Sequence, residues 1–394
     1  MSSPTTYRFS FGPWNISEGA DPFGPDVRQP MPLEAKLDLY RPLGFEGVQF
    51  HDDDVVENID AKSPQEAIAR AGEVKRMLDD KGLVPEFVAP RLWFAKETID
   101  GGYTSNSAND RTYAIDRSKR AIDIARAVGT PNIVLWLARE GSYIREAKNA
   151  RLAAERVLEA VNTLLGYDKE INIWIEPKPN EPMDHTYVPT IGHAIALAYA
   201  SDTPARVSGL IESAHAILAG LDPSDEMAFA LAHKKLASVH LNDQNGLKFD
   251  QDKAFGSVNL RSAFNQVRVL EENGFGSAGE FVGLDVKAMR TQSGTPVVEH
   301  LRKLDTGSAS GAGVSGGRST AKRRRKAVGG EDDAAAVEGE LALHATGDGD
   351  ESFADVVTMY AHEVADGVPC RGHGLGIARH DLAGHFEARQ VGGT

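Results

Sequence analysis

The chain has one cysteine, Cys370, in 394 residues, so it cannot form an internal disulfide and a reducing compartment suits it. No apolar run approaches the roughly 20 residues that span a bilayer. The opening residues, Met1 to Phe9, lack an apolar signal region after a basic one, so the expectation is a cytoplasmic protein. Positive charge is short: 43 Lys and Arg face 57 Asp and Glu, a net charge of −14 that disfavours phosphate backbones. Neither nucleic acid nor a membrane is an expected partner. What is present, 41% hydrophobic and 25% charged residues, is the composition of a folded globular chain rather than a disordered one.

These averages hide a seam. Residues 305–394 hold 17 of the 39 glycines and the sole cysteine, whereas all 4 tryptophans precede residue 305. The reading is therefore a domain over 1–304 followed by an atypical tail over 305–394. In that tail Gly307–Gly317 is Gly/Ser/Ala-rich, Lys322–Lys326 is a basic run and Glu331-Asp332-Asp333 an acidic one. Such charge blocks read as a low-complexity, disordered tail. The jump to Gly, Ala, Arg and scattered His is also what out-of-frame GC-rich coding would give, which resequencing would settle.

Before the seam, short apolar runs alternate with helix-period stretches. Candidate strands are Tyr7–Gly12, Gly47–His51, Val84–Ala89, Asn132–Trp136, Asn172–Glu176, Val207–Glu212, Ala237–His240 and Glu280–Asp285. Ser63-Pro64-Gln65-Glu66 carries the N-cap, N1 proline and N3 acid of a helix start, and that helix should end near Gly82. Asp110–Val128, Ala147–Leu165 and Leu260–Asn273 show apolar faces at helical spacing. Eight β-α units in about 300 residues predict a (β/α)₈ barrel. A doubly wound sheet fits less well, because no Gly-x-Gly-x-x-Gly follows the first strand.

Barrel enzymes place their chemistry at the C-terminal strand ends, and polar residues gather there. The strands run into His51-Asp52-Asp53-Asp54, Glu176-Pro177-Lys178-Pro179, Glu212-Ser213-Ala214-His215, His240-Leu241-Asn242-Asp243 and Asp285-Val286-Lys287. Asp250-Gln251-Asp252 follows in a loop. Singly, each has a plain structural reading: an aspartate run as a helix N-cap, a lone histidine as a hydrogen-bonded core group, Asp-x-Asp as a turn. Glu-Pro-Lys-Pro resists that reading, since flanking prolines bar both helix and ladder and fix Glu176 and Lys178 in a rigid loop. Carboxylates with imidazole and no thiolate suit Mg²⁺, Mn²⁺ or Co²⁺. Glu212-x-x-His215 offers neighbouring ligands with Glu212 able to bridge two cations, and Asp250-x-Asp252 offers two more oxygens.

Together these segments resemble the D-xylose isomerase family. They stand in its order over residues 7–292, with Asp100-Gly101-Gly102, Arg139-Glu140-Gly141 and Gln244-Asn245-Gly246 between them, and Glu176 to Pro182 is the most specific string. The resemblance implies a metal-dependent aldose–ketose isomerase that interconverts D-xylose and D-xylulose, and D-glucose and D-fructose, by ring opening and a hydride shift. It implies that His51, held by Asp54, assists ring opening and that Lys178 donates to the carbonyl oxygen. One cation would take Glu176, Glu212, Asp285 and His240; a second would take Glu212, His215, Asp250 and Asp252. Trp14, Trp136 and Trp93, the last where the family has phenylalanine, would wall the site. The family is a homo-oligomer, a dimer or tetramer, in which an aromatic from a neighbouring subunit completes that wall, and Phe23 matches it.

Two features depart from the family. His240 stands where the family has aspartate, which removes a negative charge and softens the site. His240-x-Asn242-Asp243 is similar to L-rhamnose isomerases, so another sugar isomerase or epimerase on the same barrel is the alternative. The family's C-terminal helical arm has no counterpart after Leu304. An abasic-DNA endonuclease barrel is a more distant alternative, disfavoured by 34 basic against 43 acidic residues over 1–304.

Overall fold

The computed structural model describes residues 7–16 and 29–287. The 304/305 boundary, the tail and Phe23 all lie outside the described residues.

Eight parallel strands close into a barrel in the order β1-β10-β9-β8-β6-β4-β3-β2. They are β1 (Arg8–Phe11), β2 (Gly47–His51), β3 (Val84–Ala89), β4 (Asn132–Trp136), β6 (Asn172–Glu176), β8 (Val207–Glu212), β9 (Leu236–Leu241) and β10 (Phe281–Leu284). The fold is a TIM barrel, as the alternation of β-branched runs and helices predicts. Two-residue strands β5 (Gly141–Ser142) and β7 (His185–Thr186) pair antiparallel outside it. The eight expected runs match the barrel strands to within a residue or so at each end. A strand covered on one face by helices and on the other by the barrel interior reads as a continuous apolar run with sharp limits.

The outer helices are α1 (Leu33–Tyr40), α2 (Asp52–Val55), α3 (Pro64–Lys81), α4 (Ala108–Val128), α5 (Ala150–Tyr167), α6 (Ile191–Ala200), α7 (Ser213–Leu218), α8 (Pro223–Ala232) and α9 (Leu260–Glu272). The capping box at α3 is formed: the Glu66 amide donates to Ser63 Oγ at 3.3 Å, and the Ser63 amide donates to Glu66 Oε2 at 2.7 Å. Gly82, at φ 65°, ends that helix in the left-handed conformation. Among the described residues no helix is long and apolar enough to cross a membrane.

The aspartate run after β2 is partly structural. Asp52 is fully buried and its Oδ1 accepts from Arg117 Nη2 on α4 at 3.0 Å, so the start of this loop is pinned from outside the barrel. Inside, Glu86 accepts from Gln49 Nε2 at 3.0 Å and from Ser238 Oγ at 2.6 Å, a polar floor beneath the strand ends. Gly283 is required by close approach: a Cβ there would lie 2.4 Å from Gln49 Nε2 and 2.8 Å from His240 Cδ2. Bare backbone on β10 therefore makes the space in which the His240 ring lies.

Candidate metal centre at the barrel mouth

Strand register brings the functional groups together. Trp136 on β4 is level with Glu176 on β6, and Glu212 on β8 is level with His240 on β9. His215 follows on the first turn of α7, whose N-cap residue is Glu212. Asp285 stands directly after β10. Asp250 and Asp252 reach the same place from the loop after β9, which is folded back by a bridge between Asp243 and Lys253. Asp252 itself has φ 45°, a left-handed conformation that aspartate tolerates better than most residues. His51, Trp14, Trp93, Trp136 and these ligand candidates other than Asp252 line one cavity of about 420 Å³. The described residues singled out from the sequence thus gather around the barrel mouth.

Glu212 is the centre of the cluster. Among the described residues three groups of candidate ligand atoms, all buried but the half-buried Asp250 and each with its atoms within 4.8 Å of one another, share it: Glu176/Glu212/His215, Glu212/His240/Asp285 and Glu212/Asp250/Asp252. The second and third fall within the two expected ligand sets, while the first straddles them. A fourth group, His51/Asp53/Asp54, is spanned by the Arg91 guanidinium.

The donor set fits divalent cations. Nδ1 of His215 and both ring nitrogens of His240 are buried without a hydrogen-bond partner, as is Asp250 Oδ1. His240 Nδ1 lies 3.7 Å from Glu176, 3.7 Å from Glu212 and 3.8 Å from Asp285, too far for hydrogen bonds. Two ligands that each sit about 2.1 Å from one octahedral cation are about 3.0 Å apart when adjacent and about 4.2 Å when opposite, which brackets these separations. A buried polar atom without a partner is costly, and a cation among these groups would supply one to His240 Nδ1.

Charge tells the same story. Burial pushes Glu212 well above the usual carboxylate range; His215 opposes this, while Asp250 adds to it. Burial likewise raises Asp252, reinforced by Asp250. Burial works against ionisation of Asp250 and Glu176, but Lys178 and His215 hold Asp250 well below its ordinary value, and His240 and His215 hold Glu176 at about 2. The carboxylates here face Lys178, Lys287, His215 and His240, yet Glu212 and Asp252 are still driven toward their protonated forms, a strain that a further cation would relieve.

Lys178 is buried beside this cluster, its Nζ 2.9 Å from Asp250 and 3.1 Å from Glu181. Burial alone would favour the neutral amine, but Asp250 and Glu181 outweigh it and keep Lys178 protonated. It can therefore donate to a substrate oxygen and cannot act as a base. Trp14 has a part that its reading as a wall did not include: its indole N–H donates to Asp285 Oδ1 at 3.0 Å.

Four further residues escaped the sequence reading of the site. Asn242 braces Glu212 at 2.8 Å and Asp252 at 3.3 Å. Glu181 orients Lys178, and Lys287 is paired with Asp252. Arg91, after β3, contacts His51, Asp53 and Asp54. The first three stand within the quoted motifs, whereas nothing in the local pattern around Arg91 marks it.

Burial works against the Asp54 carboxylate, but the His51 residue, whose main-chain N–H it accepts, and the Arg91 guanidinium outweigh it and lower its pKa to about 2. An aspartate with an unfolded pKa of about 3.9 therefore adds stability above that pH and loses it as the pH falls through about 2. Asp54→Asn is expected to cost about 2 kcal/mol at pH 7. Urea melts should show the gap between the two proteins narrowing below about pH 4; a gap independent of pH would contradict the assignment.

The sequence matches the xylose isomerase-like TIM barrel family over residues 37–278. A xylose isomerase of Thermus thermophilus is 34% identical over 291 residues, covering 73% of this chain and 74% of that protein. Among solved structures, the IOLI protein with a bound zinc atom superposes with a TM-score of 0.53 at 13% identity, over 75% of this chain and 95% of that one. D-psicose 3-epimerase from Clostridium cellulolyticum, solved with D-tagatose, gives 0.51 at 11% identity, over 75% and 95%. At such identities the two structures speak to the fold alone.

Proposed function

Because this chain belongs to the xylose isomerase-like TIM barrel family, we propose that it is a divalent-cation-dependent aldose–ketose isomerase. Its substrates are D-xylose and D-xylulose, with D-glucose and D-fructose as the six-carbon pair, and its reaction is ring opening followed by a 1,2-hydride shift. The observation that carries this reading is Glu212 shared among three candidate ligand groups beside the protonated Lys178. The similarity to the Thermus xylose isomerase supports the choice of sugar.

Glu176, Glu212, His240 and Asp285 would hold one cation, and Glu212, His215, Asp250 and Asp252 a second. Bound Mg²⁺, Mn²⁺ or Co²⁺ would grip the sugar hydroxyls and polarise the C1–C2 oxygens as a Lewis acid. His51, which lines the cavity between the rings of Trp14 and Trp93 at 4.4 and 5.0 Å, would meet the ring oxygen of the closed sugar. Lys178 presents an N–H to the oxygen that gathers negative charge, with its ammonium 4.9 Å from the centre of the Trp136 ring. Trp14, Trp93 and Trp136 exclude water, so that a migrating hydrogen stays with the substrate. Assembly into a dimer or tetramer, with Phe23 completing the wall, belongs to the same reading, as does a cytoplasmic setting.

His240 favours one second reading, an L-rhamnose isomerase-like enzyme or a sugar epimerase on the same barrel, because an imidazole replaces a carboxylate among the ligands. Turnover across a panel of aldopentoses, aldohexoses and deoxyhexoses, with and without Mg²⁺, Mn²⁺ or Co²⁺, separates the two. D-xylose is expected to be among the best substrates, and turnover should vanish on chelation. No cation-dependent turnover of any aldopentose or deoxyhexose would end the isomerase reading.

A further inference from the structure

His51 Nδ1 has two claimants. Asp54 Oδ2 lies 3.1 Å away and could only accept a proton from it. Arg91 Nη2 lies closer, at 2.7 Å, and can only donate. A protonated Nδ1 would set an N–H against the guanidinium N–H at that distance, and an imidazolium would add like-charge repulsion. Turning the ring over would put a C–H against both groups. The arrangement that satisfies every atom has a bare Nδ1 accepting from Arg91. Asp54 then takes the His51 main-chain N–H at 2.8 Å and Arg91 Nη2 at 3.2 Å instead.

We propose that Arg91 is a positioning residue that locks His51 in the tautomer with its proton on Nε2, so that His51 offers the substrate an N–H rather than a lone pair. Arg91 is built for this. Its Nε donates to Asp53 Oδ1 at 2.6 Å, and its guanidinium lies 5.4 Å from the Trp93 ring centre and 5.6 Å from that of Phe94. Three anchors fix the plane of the fork, a geometry that an ammonium cannot reproduce. In this arrangement Asp54 steers His51 through Arg91 rather than by holding its ring directly. Where a sugar enters closed, the His51 Nε2–H then hydrogen-bonds the ring oxygen and steadies it as the C1–O bond breaks, while the proton that this oxygen gains is the one the C1 hydroxyl loses, relayed through water.

The catalytic consequence rests on the isomerase reading; the tautomer does not. Nitrogen-15 spectra of histidine-labelled protein at neutral pH, with the His51 signals identified by their loss in His51→Gln, should show Nδ1 bare and Nε2 protonated. In Arg91→Gln the proton should move to Nδ1 and face Asp54. Arg91→Lys keeps a charge for Asp53 but cannot span all three partners, so it should show the same change while guarding against a general loss of fold. A protonated Nδ1 in the unaltered protein, or an unchanged tautomer in both variants, overturns the proposal.

Kinetics supply the second arm. Both variants are expected to lose about tenfold in kcat on D-xylose, a part of what acid–base groups contribute, and less than about twofold on glyceraldehyde, which cannot close a ring. Equal losses on both substrates would refute a role in ring opening. If the unaltered enzyme turns over neither sugar, the isomerase reading fails and the spectra alone decide the tautomer.

Discussion

Glu212→Gln is expected to abolish turnover and cation-linked stabilisation together while leaving the fold intact. Burial and Asp250 already press Glu212 toward its protonated form, and glutamine is close to that form in shape and charge. Its carbonyl oxygen can still accept from Asn242 Nδ2, which lies 2.8 Å from Glu212 Oε1. What disappears is the anionic oxygen shared by three ligand groups. Removing a mere outer partner of a metal ligand costs about 10- to 100-fold, so losing the shared ligand should exceed about a hundredfold in kcat. For the unaltered protein, Mn²⁺ at a hundred times its dissociation constant should add about 2.7 kcal/mol of stability. Thermal melts with and without Mn²⁺ should show that gain vanish in Glu212→Gln. A variant that keeps both the gain and the activity would contradict the central place given to this side chain.

Lys178→Met should separate binding from chemistry. Methionine keeps an unbranched stem of similar reach in the buried slot but removes the donor. Asp250, relieved of its ammonium partner at 2.9 Å, remains available as a ligand, so cation affinity is not expected to fall. Turnover should fall by about 10²- to 10³-fold, the loss typical of a donor aimed at developing negative charge. The loss should appear in kcat rather than KM, because that charge grows only toward the transition state. Cation titration by calorimetry and steady-state kinetics on D-xylose provide the check. Unchanged turnover would remove Lys178 from the mechanism.

Most of the barrel was legible because burial on both strand faces writes an unbroken apolar run, as in Asn132–Trp136 and Val207–Glu212. Helices with one apolar stripe and a clear cap, such as α3, were legible for the corresponding reason. Those that escaped lack such contrast. α2 is four residues long, and α6 (Ile191–Ala200) is so rich in alanine and other apolar residues that no face stands out. α8 follows α7 between two strands where one helix would suffice.

The gathering of acids and histidines was legible for a different reason: a barrel converts a strand end into a place, so such groups at successive strand ends are neighbours whatever their sequence separation. Asn242 and Lys287 stood in view but without a role, because what they do depends on which carboxylate each faces. Arg91 was invisible. Its contact with His51 joins residues 40 apart in the chain, and a lone arginine in a loop carries no periodic or motif signal. Trp14 shows the same limit, since its ring announces a wall but not its hydrogen bond to Asp285, 271 residues away.

The most direct measurement is the fate of the C2 hydrogen. D-xylose carrying deuterium at C2 should be converted in the presence of Mn²⁺ to D-xylulose that retains the deuterium at C1, because the hydrogen migrates within a water-excluding cavity. Product whose deuterium has been lost to solvent would mean an enediol route with a protein base, and would contradict the hydride-shift account of this site.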